Sequence, residues 1–180
     1  DISPAMLRLD DRESARRRLN VRTLEASMDD LSALRDESFD IVITQDVFEH
    51  LFQPDKAIAE IARTLRPGGA HIMTVPIVNK DKPSQRRASL RQGTIQYHAK
   101  PEYHGNPVDP NGSLVTVDWG YDIAEYLSRH SGLPTTIYSI DDTRAGIRAE
   151  YIEVVVTRKL QPPELDDDAV LAEATAVARA

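Results

Sequence analysis

The chain has 180 residues, 41% hydrophobic and 28% charged, which is the composition of an ordinary globular protein with a single core. Its formal net charge of -7 argues against a nucleic-acid partner, because such binders present a basic surface. The absence of cysteine excludes disulfides, thiolate metal ligands and a cysteine nucleophile.

Apolar runs fall well short of the roughly 18 residues that a membrane span needs, and the first residues lack the basic and apolar regions of a signal peptide. The expectation is a cytoplasmic protein without a membrane partner. Residues 4–19 are predicted to be helical, with Ser3 as N-cap and Pro4 in the first turn, where its missing N–H costs nothing. A short strand is predicted over 21–26 and a short helix or turn over 29–34. The β-branched run at 39–44 predicts a strand buried on both faces, as in a parallel sheet. Ala57, Ile58, Ile61, Ala62 and Leu65 follow helical spacing and predict a helix over 54–65, stopped by Pro67-Gly68-Gly69. A strand over 71–76 completes a βαβ unit. Residues 77–118 carry no strong periodicity and read as an irregular insertion. Beyond it come a helix over 121–130 closed by Ser131-Gly132, then strands over 135–140 and 151–157 that suggest an antiparallel hairpin. The domain reading is one α/β domain over 1–160, followed by an acidic, Ala-rich tail over 161–180.

Open α/β sheets bind ligands beyond the carboxyl ends of their strands. Polar residues gather at three such ends: Ala26-Ser27-Met28-Asp29, then Gln45 to His50, and Pro76 to Asn79. The insertion holds His98, His104, Tyr97, Tyr103 and Trp119. It reads either as a lid over an acceptor pocket or as a packed surface loop. His98, Glu102, His104 and Asp109 are potential metal donors, but their spacing fits no known site, so no metal is assigned. His50 reads as a helix-start histidine that holds its loop, and His71 and His130 as structural. Lys80, Lys82, Arg86, Arg87, Arg91 and Lys100 form a basic stretch, either a solvated face or a patch for an anionic group. A nicotinamide-dependent enzyme would need a Gly-x-Gly-x-x-Gly loop, which the chain lacks.

The run Asp36-Glu37-Ser38-Phe39-Asp40-Ile41-Val42-Ile43, the pair Glu49-His50 and the segment Arg63-Thr64-Leu65-Arg66-Pro67-Gly68-Gly69 together resemble the class I S-adenosylmethionine-dependent methyltransferases of the type 11 kind. The resemblance is good over residues 20–80 and loose over the final strands. Residues 97–122 also resemble a bacterial subgroup of these enzymes. It implies a Rossmann-like fold, an open and mostly parallel sheet with a terminal antiparallel hairpin, and S-adenosylmethionine as cofactor. By position, Asp1 matches the residue that accepts from the ribose hydroxyls. Ser27 and Met28 fall near the adenine contacts, with Asp29 as a substitute acceptor, and Gln45 and Asp46 line the methionine end. The family's glycine-rich loop would precede Asp1, leaving a gap in the sheet; alternatively, Asp1 to Pro4 follow the first strand of a reduced variant.

The implied activity is methyl transfer to a small-molecule or glycan-type acceptor, the alternative being an inactive binding domain of the same fold. In-line displacement at a sulfonium mainly requires alignment of the nucleophile, and a general base helps only when the acceptor must lose a proton. The candidates for that work are His104, Tyr103 and His98.

Overall fold

The β-branched run that follows Ser38 forms β1 (Phe39–Gln45) and, after a turn, the chain enters α1 (Pro54–Thr64) and β2 (Leu65–Thr74). A computed structural model of the chain describes residues 16–17, 24, 26–106 and 109–161. The helix expected over 4–19 and the strand over 21–26 therefore fall almost wholly outside the described residues, as does the tail from residue 162. Residues 16–17 are helical. The 29–34 segment is a pair of turns.

α1 starts on Pro54, places Asp55 in its first turn and Arg63 in its last, and buries Ala57, Ile58, Ile61 and Ala62. That charge order complements the helix dipole. Burying Ile58 and Ile61 completely contributes about 1.5–3 kcal/mol each. The helix ends because Leu65 is already extended, so Pro67-Gly68-Gly69 is not the stop it was expected to be. It is instead a loop-out within β2. Phe39 pairs with Leu65 and Ile41 with Ala70, so β2 spends five steps where β1 spends two. Gly68 takes a φ of +83°, and a Cβ on Gly69 would meet the carbonyl oxygens of Arg66 and Asp40 at 2.9 Å.

Three short two-stranded ribbons, a second helix and two further strands of the main sheet follow among the described residues. The insertion is not irregular: β3 (Gln85–Arg86) pairs with β8 (Val117–Asp118), β4 (Ala88–Arg91) with β5 (Thr94–Tyr97), and β6 (Tyr103–His104) with β7 (Ser113–Leu114). Strands of two to four residues are too short to show a period of two, which is why the sequence did not reveal them. α2 (Ile123–Ser131) ends on Gly132 at a φ of +71°, as its sequence predicted. β9 (Thr135–Ser139) and β10 (Glu153–Arg158) form the expected antiparallel hairpin.

The main sheet has the order β1-β2-β10-β9. β1 and β2 are parallel, and β10 is antiparallel to both its neighbours, so the sheet is mixed. Met73 of β2 and Val155 of β10 are register partners on the face that receives both helices. Phe48, Ile58, Ile61, Trp119, Ile123 and Leu127 complete this core. The opposite side of β1 departs from expectation. Ile41 and Ile43 are 57% and 72% exposed, so this strand is not buried on both faces among the described residues. No helix of the described residues is long and apolar enough to cross a membrane.

Two buried polar residues tie the fold together. His71, fully buried on β2, faces Thr44 with Nε2 2.9 Å from the threonine hydroxyl, and burial holds its pKa down from the ordinary 6.5 to about 4. Thr116, also fully buried, donates its N–H to the Glu49 carbonyl at 2.7 Å and its hydroxyl to the Leu51 carbonyl at 2.7 Å. Arg86 adds bonds to the carbonyls of Leu51 and Phe52 at 3.3 Å. The insertion is thereby strapped to the turn that follows β1.

Acidification should weaken the fold through His71. Its folded-state pKa is depressed, so the unfolded chain binds the proton first; the contribution is intact above 6.5 and is lost as pH falls toward about 4. The loss approaches about 3 kcal/mol. Urea unfolding of the wild type and of His71→Gln should therefore diverge between pH 7 and 4.5, with the wild type losing more. Parallel pH profiles would show that His71 does not couple to folding. Separately, Thr116→Val should cost about 1–2 kcal/mol, since it removes a hydroxyl that serves two carbonyls in a dry site. An unchanged unfolding midpoint would show that the strap does not depend on this hydroxyl.

Candidate functional site

The site is built on the carboxyl end of β1. Asp46 follows the strand with its N–H donated to the Thr74 carbonyl of β2 at 3.1 Å, and its φ is +50°. A left-handed backbone is unfavourable for most residues and is best tolerated by Gly, Asn and Asp. This kink turns the chain sharply, so that Phe48 and Glu49 become buried while Asp46 stays at the surface.

A second wall comes from residues 26–38. Ser27 and Asp30 form a bridge, and the Ser27 hydroxyl bonds to the Asp29 carboxylate. Gln53, just before α1, donates to the other Asp29 oxygen at 3.1 Å. Arg63 on α1 staples the remainder of this loop: it reaches the carbonyls of Leu31 and Leu34 at 2.9 Å and the Asp36 carboxylate at 2.6 Å. The loop thus has little regular structure but several fixed points.

Between these walls lies a cavity of about 440 Å³, within the range of small-molecule sites. Its polar lining is Ser27, Asp29, Asp46, His50, Gln53 and Ser113, and Val47, Leu51, Phe52 and Leu90 form its apolar sides. Among the described residues the lining includes two carboxylates and neither lysine nor arginine. Such a donor set suits a ligand that brings positive charge and hydroxyl donors, which are the features of a sulfonium nucleoside with an amino-acid tail.

Directly beside the cavity stands a second cluster. Glu49 is 2% exposed, and neither of its carboxylate oxygens has a hydrogen-bond partner. Its Oε1 lies 3.7 Å from His50 Nε2 and 3.9 Å from His104 Nδ1. Burial pushes the Glu49 carboxyl up to about 7; its own backbone N–H and His104 oppose the rise, and the Asp46 charge adds to it. The two imidazoles meet edge to face at 5.1 Å. His50 Nδ1 lies 2.9 Å from the Leu114 carbonyl, which can only accept. Nδ1 therefore carries the proton of the neutral ring, and Nε2 presents its lone pair toward Glu49.

The residues singled out from sequence are distributed as follows. Ser27, Asp29 and Asp46 share the cavity. Met28 turns away and packs against the core, and Gln45 is exposed at the end of β1 outside the lining. Asp1 lies outside the described residues. Of the three candidates for acid–base work, His104 joins Glu49 and His50. His98 is instead bonded to Ser89 across the β4–β5 hairpin at 2.8 Å. Tyr103 precedes His104 in β6 and so points to the opposite face, where its hydroxyl pairs with Tyr97 and its pKa is raised. The four potential metal donors of the insertion do not converge, since Glu102 pairs with Arg87 and Asp109 holds Asn111. Of the basic stretch, Arg87 is engaged by Asp118 at 2.7 Å and Lys80 by Glu153 at 3.3 Å. Residues to which the sequence assigned no site role are Glu49, Gln53 and Ser113. Glu49 was visible there only as half of a family-like pair; its burial depends on residues 114–117, which are distant in sequence.

Residues 1–73 match the family model of a methyltransferase domain. The malonyl-[acyl-carrier protein] O-methyltransferase of Paenibacillus sp. (strain JDR-2) is 29% identical over 150 residues, covering 80% of this chain and 48% of that protein. The chain spans about half the length of the curated relatives it matches best along its length. Among solved structures, the Burkholderia thailandensis 1,6-didemethyltoxoflavin-N1-methyltransferase with bound 1,6-didemethyltoxoflavin and S-adenosylhomocysteine superposes with a TM-score of 0.56 at 16% identity, covering 89% of this chain and 59% of that one. The PH0226 protein of Pyrococcus horikoshii gives 0.55 at 18% identity, covering 88% and 69%. Over residues 1–73 the chain is thus similar to a methyltransferase domain, and its described residues share the fold of the structures named above.

Proposed function

We propose that the protein transfers a methyl group from S-adenosylmethionine to a small-molecule or glycan-type acceptor, with the cavity at the end of β1 as its cofactor site. The observation that carries this reading is the convergence of Ser27, Asp29 and Asp46, from two separate segments, on one cavity that no described lysine or arginine lines. The methyltransferase match over residues 1–73 supports it, as does the S-adenosylhomocysteine bound in a protein of the same fold.

In this reading Asp29, steadied by Ser27 and Gln53, accepts from hydroxyl groups of the cofactor, and Asp46 accepts from its ammonium. When bound, the cofactor supplies a methyl group already activated by the sulfonium charge. The protein then has to align the acceptor and exclude water. The insertion is suited to that task because Leu90 and Ser113 lean over the cavity from β4 and β7. His104, beside Glu49 and His50 at the edge of the cavity, is in this reading the candidate to meet an acceptor, whereas His98 is bonded to Ser89 of its hairpin.

Calorimetric titration of the chain with S-adenosylhomocysteine should give saturable, near-stoichiometric binding. Asp46→Asn should weaken it by roughly tenfold or more, the loss of one charge-assisted hydrogen bond. An unchanged dissociation constant in that variant would remove Asp46 from the site, and a wild-type chain that does not bind would overturn the assignment of this cavity.

A further inference from the structure

We propose that Glu49, His50 and His104 form a binding site for one divalent transition-metal ion at the rim of the cavity. The inference does not rest on the methyl-transfer reading, since it follows from the donors alone.

The chain has two buried glutamates among its described residues, and they differ in how they are satisfied. Glu153 accepts from the Tyr121 hydroxyl at 2.8 Å and the Ile152 N–H at 3.0 Å, with the Lys80 ammonium 3.3 Å away. Glu49 has no such partners, and the basic groups within ion-pair distance are the two imidazoles. A buried carboxylate of this kind is costly unless something positive faces it. A cation placed between the three groups would face the carboxylate with charge and use a ring-nitrogen lone pair of each imidazole.

The geometry suits such an ion. One donor atom from each of the three residues lies within 4.8 Å of the others. Tetrahedral bonds of about 2.0–2.2 Å set donors roughly 3.3–3.6 Å apart, so the 3.7 and 3.9 Å separations from Glu49 are already near that spacing and the two imidazoles have to close on each other. His104 is 40% exposed and sits on a two-residue strand, so it has room to make that adjustment. His50 is oriented as metal-binding histidines usually are: one ring nitrogen is tied to a backbone carbonyl, which fixes the tautomer and aims the other at the ion. Two imidazoles and one carboxylate form a nitrogen-rich set that selects zinc, manganese, iron or cobalt over calcium or magnesium. Three protein ligands also leave coordination positions open. His50 lines the cavity as well, so those positions face it. The ligand class that fits there is an oxygen-bearing acceptor group such as a hydroxyl or carboxylate, polarised by the ion.

The test is metal binding by the chelator-stripped, full-length chain, without any methyl donor. Titration with Zn2+ and, in parallel, Co2+ should show one ion per chain and, for Co2+, a visible absorption band. His104→Ala alters a half-exposed side chain and should leave the melting temperature nearly unchanged while weakening Zn2+ binding at least 100-fold and abolishing the cobalt band. Glu49→Gln should do the same, and His98→Ala should bind as the wild type does. Absence of a stoichiometric ion in the wild type, equal affinity in His104→Ala, or binding of Mg2+ in place of Zn2+ and Co2+ would each overturn the assignment. Failure of the cofactor titration described above would leave this result standing.

Discussion

The hydrogen bonds that Thr116 makes to Glu49 and Leu51 are the constraint on which the site depends. The turn after β1 has no regular structure of its own, and the carbonyls of Glu49 and Leu51 find donors outside it, Leu51 from Arg86 as well. Residues 114–117 supply those donors from 65 or so positions further along the chain. The same stretch provides the Leu114 carbonyl that orients His50, and β7, of which Leu114 is part, pairs with the strand that carries His104. One backbone contact therefore fixes the depth of Glu49, the tautomer of His50 and the position of His104.

Beneath this contact the architecture is simple. β2 lies between a parallel neighbour and an antiparallel one, and both helices cover the same face. Parallel pairing of β1 with β2 places their carboxyl ends side by side, which is why Asp46 can hang from Thr74 and open the chain toward the cavity. The left-handed backbone at Asp46 is a local cost retained at the point where the chain must turn most sharply. Arg63 plays the corresponding role on the other wall, joining a loop of turns to the rigid surface of α1.

Charge is distributed in keeping with this division. The cavity collects Asp29 and Asp46, while several basic residues of the insertion are spent on structure. Arg86 holds the carbonyls that precede α1, and Arg87 joins Asp118 to Glu102. What reads in sequence as a basic patch is in good part a set of internal fastenings. The reverse holds for the acidic residues. Glu49 is buried beside His50 and His104, and the local sequence gives no sign that it will lose contact with water.

The sequence by itself determined the elements whose signals are local. The helical spacing of Ala57, Ile58, Ile61 and Ala62, the β-branched run of β1, and the glycine after Ser131 each encode their structure within a few residues. It also placed Asp46 at the carboxyl end of β1, because a strand end and its polar successor are adjacent in the chain. Only the tertiary structure decided that β10 would enter between β2 and β9, that Pro67-Gly68-Gly69 would bulge from a strand, and that the insertion would fold into three short ribbons. Only it brought His104 to Glu49 and His50 and sent Tyr103 and His98 elsewhere. The reason is physical: a two-residue strand has no periodicity to read, its register is set by the partner it meets, and a shift of one residue would reverse which of Tyr103 and His104 faces the site.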